Sequence, residues 1–234
     1  VMSHFDDEMQ QYDGEFCKFF DAFAFHEVLD SVELEDKTKY MAVLAALLGC
    51  QGIEEYKYIL PIALEHGVEP VEVKEIVYQA TAYLGIGRTR PFFAVTNQIY
   101  KEKGIALPLA PQGTTTPENR RKKGTAKQVE LFGPQMEDFW KKGNINRWLA
   151  GNCFGDYYTR KGLDNGQREM ITFCYIAAQG GCEPQLMSHT VANFVNGNDK
   201  EFMLKVVSCM VPFIGYPRSL NAIAVVNQAA EKNN

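Results

Sequence analysis

Apolar residues recur three and four positions apart along most of this chain, and strictly alternating stretches are scarce, so the pattern predicts helices and an all-α fold. The clearest stretch is residues 168–198, REMITFCYIAAQGGCEPQLMSHTVANFVNGN. Ile171, Tyr175 and Ala178 follow the charged pair Arg168 and Glu169 at helical intervals, and Gly180 and Gly181 end the run. Pro184 suits a first helical turn, and Leu186, Thr190 and Asn193 carry a second helix onward. Gln185 and His189 therefore fall one turn apart on one face. Cys182 stands at the positive end of the same helix, where free N–H groups stabilise a thiolate. It precedes His189 by about 10 Å of helical rise, so no direct Cys–His bond is expected.

Upstream, aromatic residues recur at helical spacing from Phe16 to Leu29, and SVELEDKTKYMAVLAALLG supplies acidic residues ahead of an apolar run. Further helices are expected from about Glu54 to His66, with Pro61 as a kink, from Glu69 to Gly85, and through Phe92 to Tyr100. This order then recurs. Gly67 and Gly197, Gly85 and Gly215, Arg88 and Arg218, and Asn97 and Asn227 are identical pairs 130 residues apart, while Phe25 and Phe154 are 129 apart. The chain reads as two copies of one helical unit, residues 1–112 and 113–234, interleaved around a shared core. The join is KEKGIALPLAPQGTTTPENRR, rich in Pro, Gly and Thr, which reads as a linker with a helix cap near Thr116. At the positions of Cys182, Gln185 and His189 the first copy has Gly52, Glu55 and Ile59, which predicts one site per chain.

Composition narrows the function. A formal charge of -5 gives no electrostatic footprint for nucleic acid, and the one basic run, Arg120 to Lys123, lacks interleaved aromatics and reads as a solvated helix face. No apolar stretch approaches the roughly 20 residues of a membrane span. The six cysteines form no C-x-x-C pair, so neither a zinc site nor a disulfide framework is expected, and a cytoplasmic protein is the expectation.

The segment CFGDYYTRKGLDNGQREMITFCYIAAQGGCEPQLMSHTVANFVNGN, the later FIGYPRSLNA turn and the preceding PENRRKKGTAKQVELFGP resemble the carboxymuconolactone decarboxylase family, which shares the alkylhydroperoxidase D-like fold. The resemblance covers essentially all of the second copy, and the first looks like the same unit with its site residues lost. It implies two chemistries. In the hydroperoxidase branch a C-x-x-C-x-x-x-H motif makes a dithiol peroxidase, but here Gln185 occupies the attacking position, and an amide cannot reduce a peroxide. The decarboxylase branch needs no cysteine. Loss of carbon dioxide from a carboxylated lactone leaves an enolate-like anion, which calls for hydrogen-bond donors or a cation and for an acid to protonate carbon.

That branch implies His189 as acid/base, Arg168 or Arg160 as carboxylate binder, Glu169 or Asp156 as the group that orients the imidazole, and Gln185 as a polar substrate contact, with no cofactor or metal. It also implies a small-molecule substrate and a homotrimer with pseudo-sixfold symmetry. Each residue has a plainer reading. His189 could be a core histidine, Glu169 a carboxylate favoured by a helix start, Arg168 and Arg160 partners in ion pairs, Asp156 a cap repeated at Glu27, and Cys182 a small loop residue. Two rival functions stand beside a lyase or isomerase: a thiol peroxidase built on Cys182, and a binding or assembly module without activity.

Overall fold

Helices make up the regular structure of the computed structural model, which describes residues 4–233, and no strand occurs among the described residues. The first half comprises α1 (Asp7–Tyr12), α2 (Gly14–Asp21) continued by a π-helical segment (Ala22–Leu29), α3 (Asp36–Gly49), α4 (Ile53–Glu65), α5 (Pro70–Leu84) and α6 (Ile86–Glu102). The second comprises α7 (Arg120–Phe132), short 3₁₀ turns at Pro134–Met136 and Phe139–Lys142, α8 (Asn144–Trp148), a second π-helical segment (Leu149–Tyr158), α9 (Asn165–Gln179), α10 (Glu183–Val195), α11 (Lys200–Ile214) and α12 (Tyr216–Lys232). Elements α3 to α6 recur in order as α9 to α12, so the all-α tandem-repeat fold expected from the sequence is the fold observed.

Local chemistry explains the boundaries. Asp164 caps α9 by accepting from the Gln167 backbone N–H at 2.8 Å, while the Gln167 side chain accepts from the Asp164 N–H at 3.0 Å. Gly180, at φ 72°, ends α9 in a conformation that a residue with a Cβ enters only with strain. Pro61 lies inside α4 without ending it. The linker cap comes later than expected: the Asn119 and Arg120 N–H groups both bond to the Thr116 carbonyl in a turn, and α7 begins only at Arg120. Neither π-helical segment is legible in the apolar pattern.

The two repeats share one core. Helix α3 lies along α9, and Gly49 permits the approach, since a Cβ there would fall 2.6 Å from the Tyr175 carbonyl oxygen. Leu44, Leu48, Ile76 and Tyr56 from the first half are buried in the same apolar cluster as Phe173, Tyr175, Val207 and Val226 from the second. The third of the four matched helices in each repeat crosses over: α5 packs on α9 and the second π segment, and α11 packs on α3 and the first π segment. Over the second π segment runs α7. Gly124 and Gly155 form that crossing, where a Cβ on either would overlap the Ala150 or Arg120 carbonyl oxygen.

Candidate active site

Four longer helical elements and the two short 3₁₀ turns, through Met136 and Phe139, meet around a cavity of about 560 Å³. Helix α5 contributes Tyr83, α7 contributes Gln128 and Phe132, the second π segment contributes Cys153 and Phe154, and α10 contributes Gln185, Ser188 and His189. At its inner edge the His189 Nδ1 lies 2.7 Å from Glu169 Oε2, and the carboxylate is fully buried. An ionised carboxylate only accepts, so Nδ1 carries the proton and Nε2 is the nitrogen available to a molecule in the cavity. The imidazole is held edge-on between Tyr83 and Phe132, at ring centroid distances of 5.5 and 5.4 Å. Asn193 fixes the two helices, its amide donating to the Glu169 carbonyl at 3.0 Å and the His189 carbonyl at 2.8 Å. Glu169 Oε1 has no hydrogen-bond partner among the described residues.

His189, Glu169 and Gln185 are thus brought together, while the other residues singled out in the sequence lie elsewhere. Adjacent residues on a helix point about 100° apart, so Arg168 faces α5 while Glu169 faces α10. Arg168 is 1% exposed and held on both terminal nitrogens: Nη1 donates to Gln79 Oε1 at 2.8 Å, and Nη2 donates to Glu75 Oε1 at 3.0 Å and to the Arg160 and Lys161 carbonyls. Arg160 pairs with the same carboxylate, its Nε donating at 2.9 Å, and lies over the Tyr78 ring. Neither arginine lines the cavity. Asp156 pairs with Arg120 and accepts from Asn152 at 2.9 Å, also away from the cavity. Cys182 caps α10, accepts from Gln179 Nε2 at 3.1 Å, and borders a separate crevice of about 10 Å³ with Arg218.

The thiol that does line the cavity is Cys153, whose Sγ lies 3.7 Å from the Tyr83 hydroxyl. Burial pushes the Cys153 thiol up to about 12 and raises Tyr83 and Tyr158 well above the ordinary phenol value. From Tyr83 a hydrogen-bonded chain runs through Tyr158 at 3.2 Å, Thr172 at 2.7 Å and Gln79 at 2.9 Å to Arg168. Sequence reading missed Tyr83, Gln128 and Cys153. Each lies on an element distant in sequence from the His189 helix, and spacing within one segment carries no trace of such neighbours. A weak signal existed for Gln128, which sits on the inward face of α7 between Gly124 and Leu131.

The first repeat has its own cavity, about 370 Å³, with Phe25 and Tyr58 at the positions of Phe154 and Ser188. Tyr40 and Ile59 replace Glu169 and His189. Into this space the N-terminal segment inserts His4, whose Nδ1 lies 2.5 Å from Asp21 Oδ1 and whose Nε2 lies 3.0 Å from Glu55 Oε2, with Phe5, Phe20, Phe25 and Tyr58 around the ring. Among the described residues no group of three His, Cys, Asp or Glu side chains is placed to hold a metal ion, and no helix is long and apolar enough to cross a membrane.

A tandem all-helical repeat defines the class of protein, and its second copy holds the His189–Glu169 pair against a largely apolar cavity. The carboxymuconolactone decarboxylase family profile matches residues 14–98 and 144–228, one stretch in each repeat, and the chain belongs to that family. It is similar to the 4-carboxymuconolactone decarboxylase of Acinetobacter baylyi, with 24% identity over 100 residues, 43% of this chain and 75% of that protein. Its fold is similar to the crystal structure of a candidate gamma-carboxymuconolactone decarboxylase subunit from Burkholderia xenovorans, with a TM-score of 0.54 and 18% identity over 97% of this chain and 91% of the other.

Proposed function

We propose that this protein is a cofactor-independent lyase or isomerase in which His189 performs acid/base chemistry on a small carboxylated, lactone-like compound. The observation that carries this reading is the His189–Glu169 pair, 2.7 Å apart and opening onto a cavity of about 560 Å³. In the decarboxylation, the bond between the ring carbon and the carboxylate carbon breaks and carbon dioxide leaves. The electron pair delocalises onto the lactone carbonyl as an enolate, and protonated His189 gives the Nε2 proton to carbon. Glu169 stabilises the imidazolium beforehand and fixes its tautomer. Gln185, one turn before His189, is the side chain we assign to the developing enolate oxygen. The similarity to the Acinetobacter decarboxylase supports this choice of reaction.

The thiol peroxidase reading has less support. Cys182 lies outside the His189 cavity, and Cys153, inside it, is held protonated by burial. A purely structural role would not call for a cavity beside the buried pair. We further propose a trimer of chains in the cytoplasm; the exposed apolar side chains Ile145, Trp148, Tyr216 and Leu220 support assembly, and sedimentation of a clean monomer would contradict it.

The test of activity is a parallel assay of carbon dioxide release or lactone consumption, and of peroxide loss with a dithiol, for wild type, His189→Ala and Cys182→Ser. Lactone turnover that needs His189 but not Cys182 is the expected result. Peroxide turnover that needs Cys182 would overturn it.

A further inference from the structure

Helix α7 places an amide in the wall of the His189 cavity that packing does not require. Gln128 is fully buried, and neither its Oε1 nor its Nε2 is hydrogen-bonded to another residue. A buried side-chain amide without partners is destabilising, and an apolar residue of the same shape would serve the helix better, as Leu131 does one turn later. What an apolar residue lacks is a donor and an acceptor side by side. A second observation limits the ligand's charge: among the described residues no lysine or arginine lines this cavity, and His189 is the one lining group that can become a cation. The two lining hydroxyls already donate elsewhere, Ser188 to the Pro184 carbonyl at 3.2 Å and Tyr83 to the Tyr158 oxygen at 3.2 Å.

We propose that Gln128 is a specificity-determining residue that receives the donor–acceptor edge of a small cyclic carbonyl compound, a lactam or a hydroxylated lactone, carrying at most one carboxylate. The carboxylate would lie beside His189, and only that placement rests on the acid/base reading above. A simple lactone offers acceptors alone, so the Gln128 carbonyl would stay unpaired against it. A second carboxylate would have to shed its water with no cation to meet it.

The experiment is calorimetric titration of the full chain with three probes: pyroglutamate, its lactone analogue in which oxygen replaces the ring N–H, and the lactone of isocitrate, which has two carboxylates. Wild type should prefer pyroglutamate over its lactone analogue by about tenfold, the worth of one added hydrogen bond, and should bind isocitrate lactone most weakly. Gln128→Met should abolish the preference without lowering the melting temperature. Equal affinities in wild type, a preference that survives Gln128→Met, tightest binding of isocitrate lactone, or binding of none of the three would overturn the proposal. His189→Ala separates the two readings. If that variant keeps turnover, the acid/base reading fails, whereas the lactam preference set by Gln128 is expected to persist in it.

Discussion

At the scale of single residues, the site depends on which groups carry protons. A carboxylate only accepts, so the Glu169 contact at Nδ1 leaves Nε2 as the His189 nitrogen open to the cavity. An amide in place of that carboxylate could turn its N–H₂ toward Nδ1 and reverse the tautomer. Glu169→Gln is therefore expected to lower kcat by about 10²-fold or more while leaving the circular dichroism spectrum unchanged. Cys153 makes the opposite point: with its thiol pushed up to about 12, it should resist alkylation at pH 8 in the native protein, as peptide mapping after iodoacetamide treatment would show. His189 and Gln185 were legible because one helix holds both. Glu169 was legible only as one of two carboxylates, beside Asp156, since nothing in the spacing says which of them meets the imidazole or whether Arg168 or Glu169 faces α10. The structure decides through the direction of neighbours: α5 offers Glu75 and Gln79 to Arg168, and α10 offers an imidazole to Glu169.

Among the elements, the crossing of α7 over the second π segment positions Gln128 and Phe132 above His189. It depends on Gly124, and no neighbouring flexible side chain could give way, because the obstructing atoms are backbone. Gly124→Ala should cost about 1–3 kcal/mol or more, read as a lower midpoint in urea, and should reduce turnover by lifting that wall. Helix order and the Gly turns were legible because each has a local chemical signature. The π segments were not. An i→i+5 bonding pattern leaves no apolar period distinct from an α-helix over eight or ten residues, yet the second segment carries Cys153, Phe154 and Tyr158.

Over the whole molecule, the buried ion cluster of Glu75, Arg168 and Arg160 ties the first repeat to the second beneath the cavity. Removing one member leaves an unpaired buried charge, so Arg168→Met should cost about 3–5 kcal/mol in unfolding experiments with KM unchanged in the folded fraction. A carboxylate-binding arginine would show the reverse, a raised KM at unchanged stability. A second long-range tie titrates. Burial pulls the His4 pKa down, but Glu55 and Asp21 outweigh it and the net direction is up. The anchoring contribution of His4 is therefore complete below about pH 6.5 and is lost as pH rises through the raised value. Asp30, His26, His66, Tyr40 and Tyr58 line the same cavity and share its field. Limited proteolysis should cut the N-terminal segment faster at pH 9 than at pH 6, and His4→Gln should flatten that difference. The repeat itself was legible from identities 130 residues apart, whereas the crossing of α5 and α11 was not, because a sequence repeat is silent about which copy covers which.

The crossing of α5 beneath α9 carries one more consequence. A first copy with Ile59 at the position of His189 still supplies Tyr83 to the His189 cavity and Glu75 and Gln79 to its foundation, so it cannot drift freely or be discarded. Severing the polypeptide within residues 103–119, where no helix is interrupted, should give two fragments that are each inert, and activity should return when they are mixed, with a rate that rises with the concentration of either.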